Sequence, residues 1–108
     1  ATVHSFADND NFGDYGTTVI LQHDGFCTLY GHLARRSLAE LHVGKPLPAG
    51  TVFAWLGERH ENGGWPPHLH FQKILDMGSY KGDFPGAATE AGKEQWLANC
   101  PDPSHLLA

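Results

Sequence analysis

The sequence predicts an all-β domain, and three observations carry that prediction. Two β-rich runs, 17–23 and 26–32, are separated by only Asp24-Gly25. Shorter runs of alternating apolar and polar residues occur before and after them. The chain has 13 Gly and 7 Pro, which break up nearly every stretch where a helix would need continuity. At 108 residues it is at most one domain, and such a domain buries about two-thirds of its unfolded surface. The expected form is a compact antiparallel sheet with a short C-terminal helix.

In chain order, residues 2–6 alternate as a strand, and 8–15 read as a loop rich in Asp, Asn and Gly. The hairpin follows, with Asp24-Gly25 as a type I′ turn. That turn sets Leu21 opposite Thr28, Val19 opposite Tyr30 and Thr17 opposite His32. One face would then carry Val19, Leu21, Tyr30 and His32. Residues 37–42 make one helical turn with Leu38 and Leu41 inward, and 42–50 is a Gly- and Pro-punctuated loop. A strand is expected at 51–57, a loop at 58–67 and a strand at 68–75. Pro66-Pro67 stiffens the approach to His68. Thr89 is a plausible N-cap for a helix through about Asn99 that buries Trp96 and Leu97, with Pro101 and Pro103 ending it.

The net charge of −5 argues against nucleic acid or an anionic membrane as main partner, since both reward a basic surface. No apolar run is long enough to span a bilayer and no basic leader precedes an apolar run, so the expected location is cytoplasmic. Cys27 and Cys100 are the only cysteines and read as thiols. The opening Ala-Thr-Val-His-Ser-Phe alternates like a strand already under way, so a piece of a longer protein is expected. An exposed sheet edge in such a piece invites a homodimer.

The chemistry concentrates in His68-Leu-His70-Phe71 and in Tyr30-Gly-His32. On a strand, His68 and His70 would project to one face. Two imidazoles on one face can divide the work, one holding a metal and the other moving a proton, and His32 could complete such a site. The alternative is a pair of surface histidines. His23, His42, His60 and His105 lie by turns, in loops or near the end, where exposure is the default.

The ordered motifs Gly16-Thr-Thr-Val-Ile-Leu-Gln-His-Asp-Gly25, Thr28-Leu-Tyr-Gly-His-Leu33, Pro48-Ala-Gly50 with Leu56-Gly57, and Pro67-His-Leu-His-Phe71 resemble the lysostaphin-type (LytM-like) zinc endopeptidases. The resemblance covers about residues 1–75. It implies the duplicated hybrid motif, with a groove over the sheet. It also implies His70 as a Zn²⁺ ligand, and His32 and His68 as the histidines acting on the metal-bound water and on the oxyanion. Tyr30 and Trp65 are candidate groove residues, with packing as the alternative for each. The family's two further ligands, a His and an Asp in H-x-x-x-D, precede its first Gly-x-Val strand, and the matching segment is missing here. His4 and Asp8 spell that pattern and are the candidate additional ligands, against a surface strand end and an Asx-type loop. With His70 as sole ligand, zinc would be weak or absent and hydrolysis poor.

The approach Asn62-Gly-Gly-Trp-Pro-Pro67, Gln72 where an acidic residue is common, and Gly82-Asp-Phe-Pro-Gly86 resemble a variant embedded in bacterial fusion proteins. There a phosphotransferase-like kinase domain precedes the peptidase-like domain and a class III aminotransferase follows. Pyridoxal phosphate would belong to that neighbouring domain, and the neighbouring domains would be partners within one chain. Residues 1–75 would be the peptidase-like core and 76–108 the run-out. Two functions stay open. One is a zinc endopeptidase acting on a Gly-containing or peptidoglycan-like peptide. The other is a non-catalytic β module that binds a ligand or scaffolds its neighbours.

Overall fold

The computed structural model describes residues 1–9, 13–86 and 92–103. Four strands, β1 (Thr2–Asn9), β2 (Gly16–Gln22), β3 (Cys27–Leu33) and β4 (His70–Ile74), form one antiparallel sheet in the order β1-β2-β3-β4. A 3-10 turn, Arg35–Leu38, follows β3, and a short helix, α1 (Lys93–Asn99), comes last. The all-β expectation holds. Thr89, the expected N-cap, lies outside the described residues, as do residues 10–12 of the first loop and His105.

The sheet is covered on both faces, which is why β2 is buried along nearly its whole length. Ile20, Leu29 and Ile74 meet Met77, Phe84 and Cys100 on one face. Val3, Val19, Leu21, Leu33 and Leu47 gather on the other. Period-two alternation along β2 and β3 sorts these sets. Cys27 and Cys100 are buried free thiols.

The hairpin register agrees with expectation at Leu21 opposite Thr28 and Val19 opposite Tyr30. The turn and the far end differ. Gly25 has φ +85°, but Asp24 is not left-handed, so one position rather than two carries positive φ. An L-residue with a Cβ resists that region, and the glycine takes it instead. At the far end the ladder shifts, and Leu33 rather than His32 lies opposite Thr17. His32 is a bulged residue with φ +63°, the only left-handed non-glycine among the described residues. Its N–H leaves the ladder for Tyr15 O (2.6 Å), and its carbonyl accepts from Gly57 N (2.8 Å). The bulge gives Leu33 the place beside Val19 and Leu21 that the simple alternation assigned to His32.

The strand expected at 51–57 does not form, and only Leu56 bridges, to Leu33. The backbone there is spent elsewhere. Trp55 N donates to Ser37 Oγ (3.0 Å) rather than to a neighbouring strand, and Trp55 O accepts from Ala34 N (2.7 Å). β4 starts at His70, so His68 precedes the strand and the two do not project side by side from one ladder. In α1, Trp96 is half-buried while Leu97 is exposed, since adjacent helical residues point about 100° apart and a two-turn helix buries one stripe.

Candidate functional site

The bulge at His32, the loop ahead of β4 and the first residue of β4 bring three imidazoles together. Ring centroids of His32 and His68 are 4.3 Å apart, and those of His32 and His70 are 6.1 Å apart. Trp65 stands edge-on at 6.1 Å from both His32 and His68. Tyr15 lies 4.7 Å from His70 and 6.0 Å from His32. Gly31 faces His70 across the β3–β4 ladder, and a Cβ there would come within 3.1 Å of the Tyr15 ring and 3.3 Å of His70 Cβ. The glycine of Tyr-Gly-His thus lets tyrosine and histidine approach. Tyr15, His32, Trp65 and His70 line an open cavity of about 660 Å³ together with Tyr80, Asp83 and Phe84, and His68 stands outside that lining against His32.

Each ring has one nitrogen committed. His32 Nδ1 lies 2.8 Å from Asn62 O, and His68 Nδ1 lies 2.6 Å from Pro66 O. A carbonyl only accepts, so both rings donate from Nδ1, and Nε2 is left as the nitrogen that can take up or release a proton. Burial, reinforced by the nearby His68 and His70 rings, lowers the His32 pKa from its ordinary value, although the Asn62 carbonyl opposes this. His32 is therefore neutral near pH 7. His68 is exposed at the rim.

Asn62 is completely buried and fixes the loop that carries Trp65. Its Nδ2 donates to Gly57 O (3.1 Å) and Trp65 O (2.9 Å), and its Oδ1 accepts from Trp65 N (2.9 Å). Its own carbonyl holds His32. Tyr15 donates from Oη to Phe84 O (3.0 Å). Burial first, then the Asp83 and Asp14 charges, push its pKa up and keep the phenol protonated. Neither Asn62 nor Tyr15 stood out in the sequence. The signal available for Asn62 was its place before Gly-Gly-Trp, where an amide can close a tight loop.

Other expected site residues fall elsewhere. Tyr30 belongs to the opposite face, packed against Phe53 and Phe71, and its hydroxyl accepts from Thr28 Oγ1 (3.1 Å). Asp8 pairs with Arg35 Nε at 2.9 Å, a part-exposed bridge of the kind that adds little stability. His4 Nδ1 is 2.8 Å from Ser5 Oγ. Among the described residues no group of three His, Cys, Asp or Glu side chains is arranged to hold a metal ion. A catalytic metal draws three ligands from protein. The residues present therefore do not fit one by themselves.

A family model, Peptidase family M23, matches residues 1–80. No curated protein and no solved structure matches the chain significantly.

Proposed function

The chain belongs to peptidase family M23, and from that premise we propose that its histidine pocket receives a peptide at the bond to be cleaved. The domain is of metallopeptidase type, and the proposed substrate is a Gly-containing or peptidoglycan-like peptide. The observation that carries this reading is the pairing of His32 and His68, whose Nδ1 atoms both face main-chain carbonyls, so that two adjacent imidazoles keep Nε2 for proton transfer. An imidazole that is neutral near pH 7 takes a proton from an attacking water, and the imidazolium returns it to the leaving amine. The second ring, protonated at Nε2 from solvent before the attack, donates to the oxyanion and keeps that proton through the step. Trp65 supplies a flat wall at the mouth and Tyr15 a protonated phenol at the floor.

His70 is the residue through which a metal would be held in this reading. With one such ligand beside the pocket, no metal-dependent step is assigned, and hydrolysis by this chain is proposed to be weak. His4 and Asp8 are engaged by Ser5 and Arg35, which favours a second reading: a β module that binds peptide without cutting it. Motifs at 62–67 and 82–86 support placing the domain inside a larger fusion protein with kinase-like and pyridoxal-phosphate-dependent neighbours. The coding sequence on either side decides that point.

The experiment is incubation of the full chain with pentaglycine, with and without added Zn²⁺. Binding is followed by chemical shifts and cleavage by mass spectrometry. Slow cleavage that disappears in His32→Ala supports the peptidase reading. Binding without cleavage at every zinc level selects the module, and no binding overturns both.

A further inference from the structure

Residues 82–86, Gly-Asp-Phe-Pro-Gly, lie beyond the 1–80 stretch that the family model matches, yet they are tied to the pocket from several sides. Gly82 N donates to Ser5 Oγ (2.8 Å), and Asn9 Nδ2 donates to Gly82 O (2.9 Å). Phe84 is buried in the core, and its carbonyl accepts from Tyr15 Oη. Pro85 O accepts twice, from Trp96 Nε1 (2.9 Å) and from Gln72 Nε2 (3.0 Å). The segment is a strap; Tyr15 joins it to His70 through ring packing, and Gln72 joins it to His70 through hydrogen bonds.

We infer that Gln72 is a positioning residue that carries the seating of this strap to His70 and decides which His70 nitrogen is free. Gln72 is buried in β4, two residues from His70, and its amide can be oriented in only one way. Nε2 faces Pro85 O, which only accepts, and also Cys100 Sγ at 3.2 Å. Turning the amide over would set Oε1 against the Pro85 carbonyl and leave two lone-pair groups in repulsion. Oε1 therefore faces His70, whose Nε2 is 3.0 Å away. The acceptor draws the hydrogen to His70 Nε2, and Nδ1 keeps the lone pair. This is the reverse of the arrangement at His32 and His68, whose Nδ1 atoms carry the hydrogen.

The inference rests on the pocket reading for its consequence: the strap is a structural part of the site, since it fixes the one histidine not held by a backbone carbonyl. Two substitutions separate the links. Gly86→Ala would place a Cβ into Tyr15 Oη and its ring, so the tyrosine tip or the strap must shift, which breaks the Tyr15 hold on Phe84 O and loosens the seating of Pro85. Gln72→Leu keeps the bulk and removes both amide partners. Gln72→Glu loses the donor to the strap but keeps an oxygen acceptor for His70.

The measurement is long-range ¹H–¹⁵N correlation on the full chain without peptide or metal, together with exchange of the His70 Nε2 hydrogen with water. The wild type is expected to show Nε2–H at His70 and Nδ1–H at His32 and His68. Gly86→Ala and Gln72→Leu are expected to speed exchange at His70 about tenfold, the equivalent of one ordinary hydrogen bond. Gln72→Glu should restore protection, and the other two rings should stay unchanged in every variant. Nδ1–H at His70 in the wild type overturns the inference, even if no variant folds. So does unchanged exchange in both folded variants. None of these readings depends on peptide cleavage, so the two proposals fail separately.

Discussion

The His32 and His68 rings are tilted against each other, with centroids 4.3 Å apart and 35° between the planes, and each gives its Nδ1 hydrogen to a main-chain carbonyl. One carbonyl belongs to a buried loop residue, Asn62, and the other to Pro66 just ahead of the ring it holds. Backbone acceptors cannot be lost by a side-chain rotation, so the free Nε2 atoms are set by the fold itself.

His32 is expected to titrate below 6.5, its ordinary value. Burial is the leading cause, and the adjacent His68 and His70 rings add to it. The unfolded chain then binds this proton at a higher pH than the folded one. The contribution of His32 to stability is complete above the unfolded value and is lost as pH falls through the folded one. Proton NMR of the ring Cε1–H reads the midpoint directly, and a value at or above 6.5 contradicts the expectation.

Asn62→Ala removes three hydrogen bonds, one buried and two part-buried, and leaves Gly57 O and the backbone of Trp65 short of partners. At about 1 kcal/mol for each bond, the expected loss is about 2–3 kcal/mol in urea unfolding. Trp65 should also become more exposed, seen as a red shift in its emission. A loss below about 0.5 kcal/mol, the range of ordinary surface changes, would show that the loop is held by other means.

Leu29 is fully buried at the centre of β3, whereas Leu97 on α1 is half-exposed. Leu29→Ala should cost about 2–5 kcal/mol through lost burial and a residual cavity. Leu97→Ala should stay within about 0.5 kcal/mol. Equal effects in thermal or urea melts would mean that the core lies elsewhere.

The hairpin was legible because alternation and a two-residue spacer both depend on neighbours in sequence. Leu21–Thr28 and Val19–Tyr30 follow from those alone. The bulge at His32 was not legible, because its cause is tertiary: Tyr15 O and Gly57 N take the backbone groups of His32 out of the ladder. The missing strand at 51–57 has the same origin, since Ser37 and Ala34 claim the backbone of Trp55. At the site, the meeting of His32, His68 and His70 could be anticipated from their motifs. Local pattern placed Tyr30 on the His32 face, and the bulge separated them. Tyr15, Asn62 and the strap at Pro85 join the pocket through contacts between residues far apart in sequence, which no local pattern records.

Tyr15→Phe removes the hydroxyl that donates to Phe84 O while keeping the ring against His70. About 1 kcal/mol of stability should be lost. Amide exchange at Phe84 should speed up more than at Leu29 in the sheet centre. Equal protection at Phe84 in both proteins would show that Tyr15 does not hold the strap.

Titration of pentaglycine into the ¹⁵N-labelled chain is the most direct measurement of whether the three-histidine pocket receives a peptide. The account predicts saturable shifts at the His32, His68 and His70 rings and at Trp65 Nε1–H, with the exposed rings of His42 and His60 unmoved. Saturable shifts centred away from these residues, or none at saturating peptide, would contradict it.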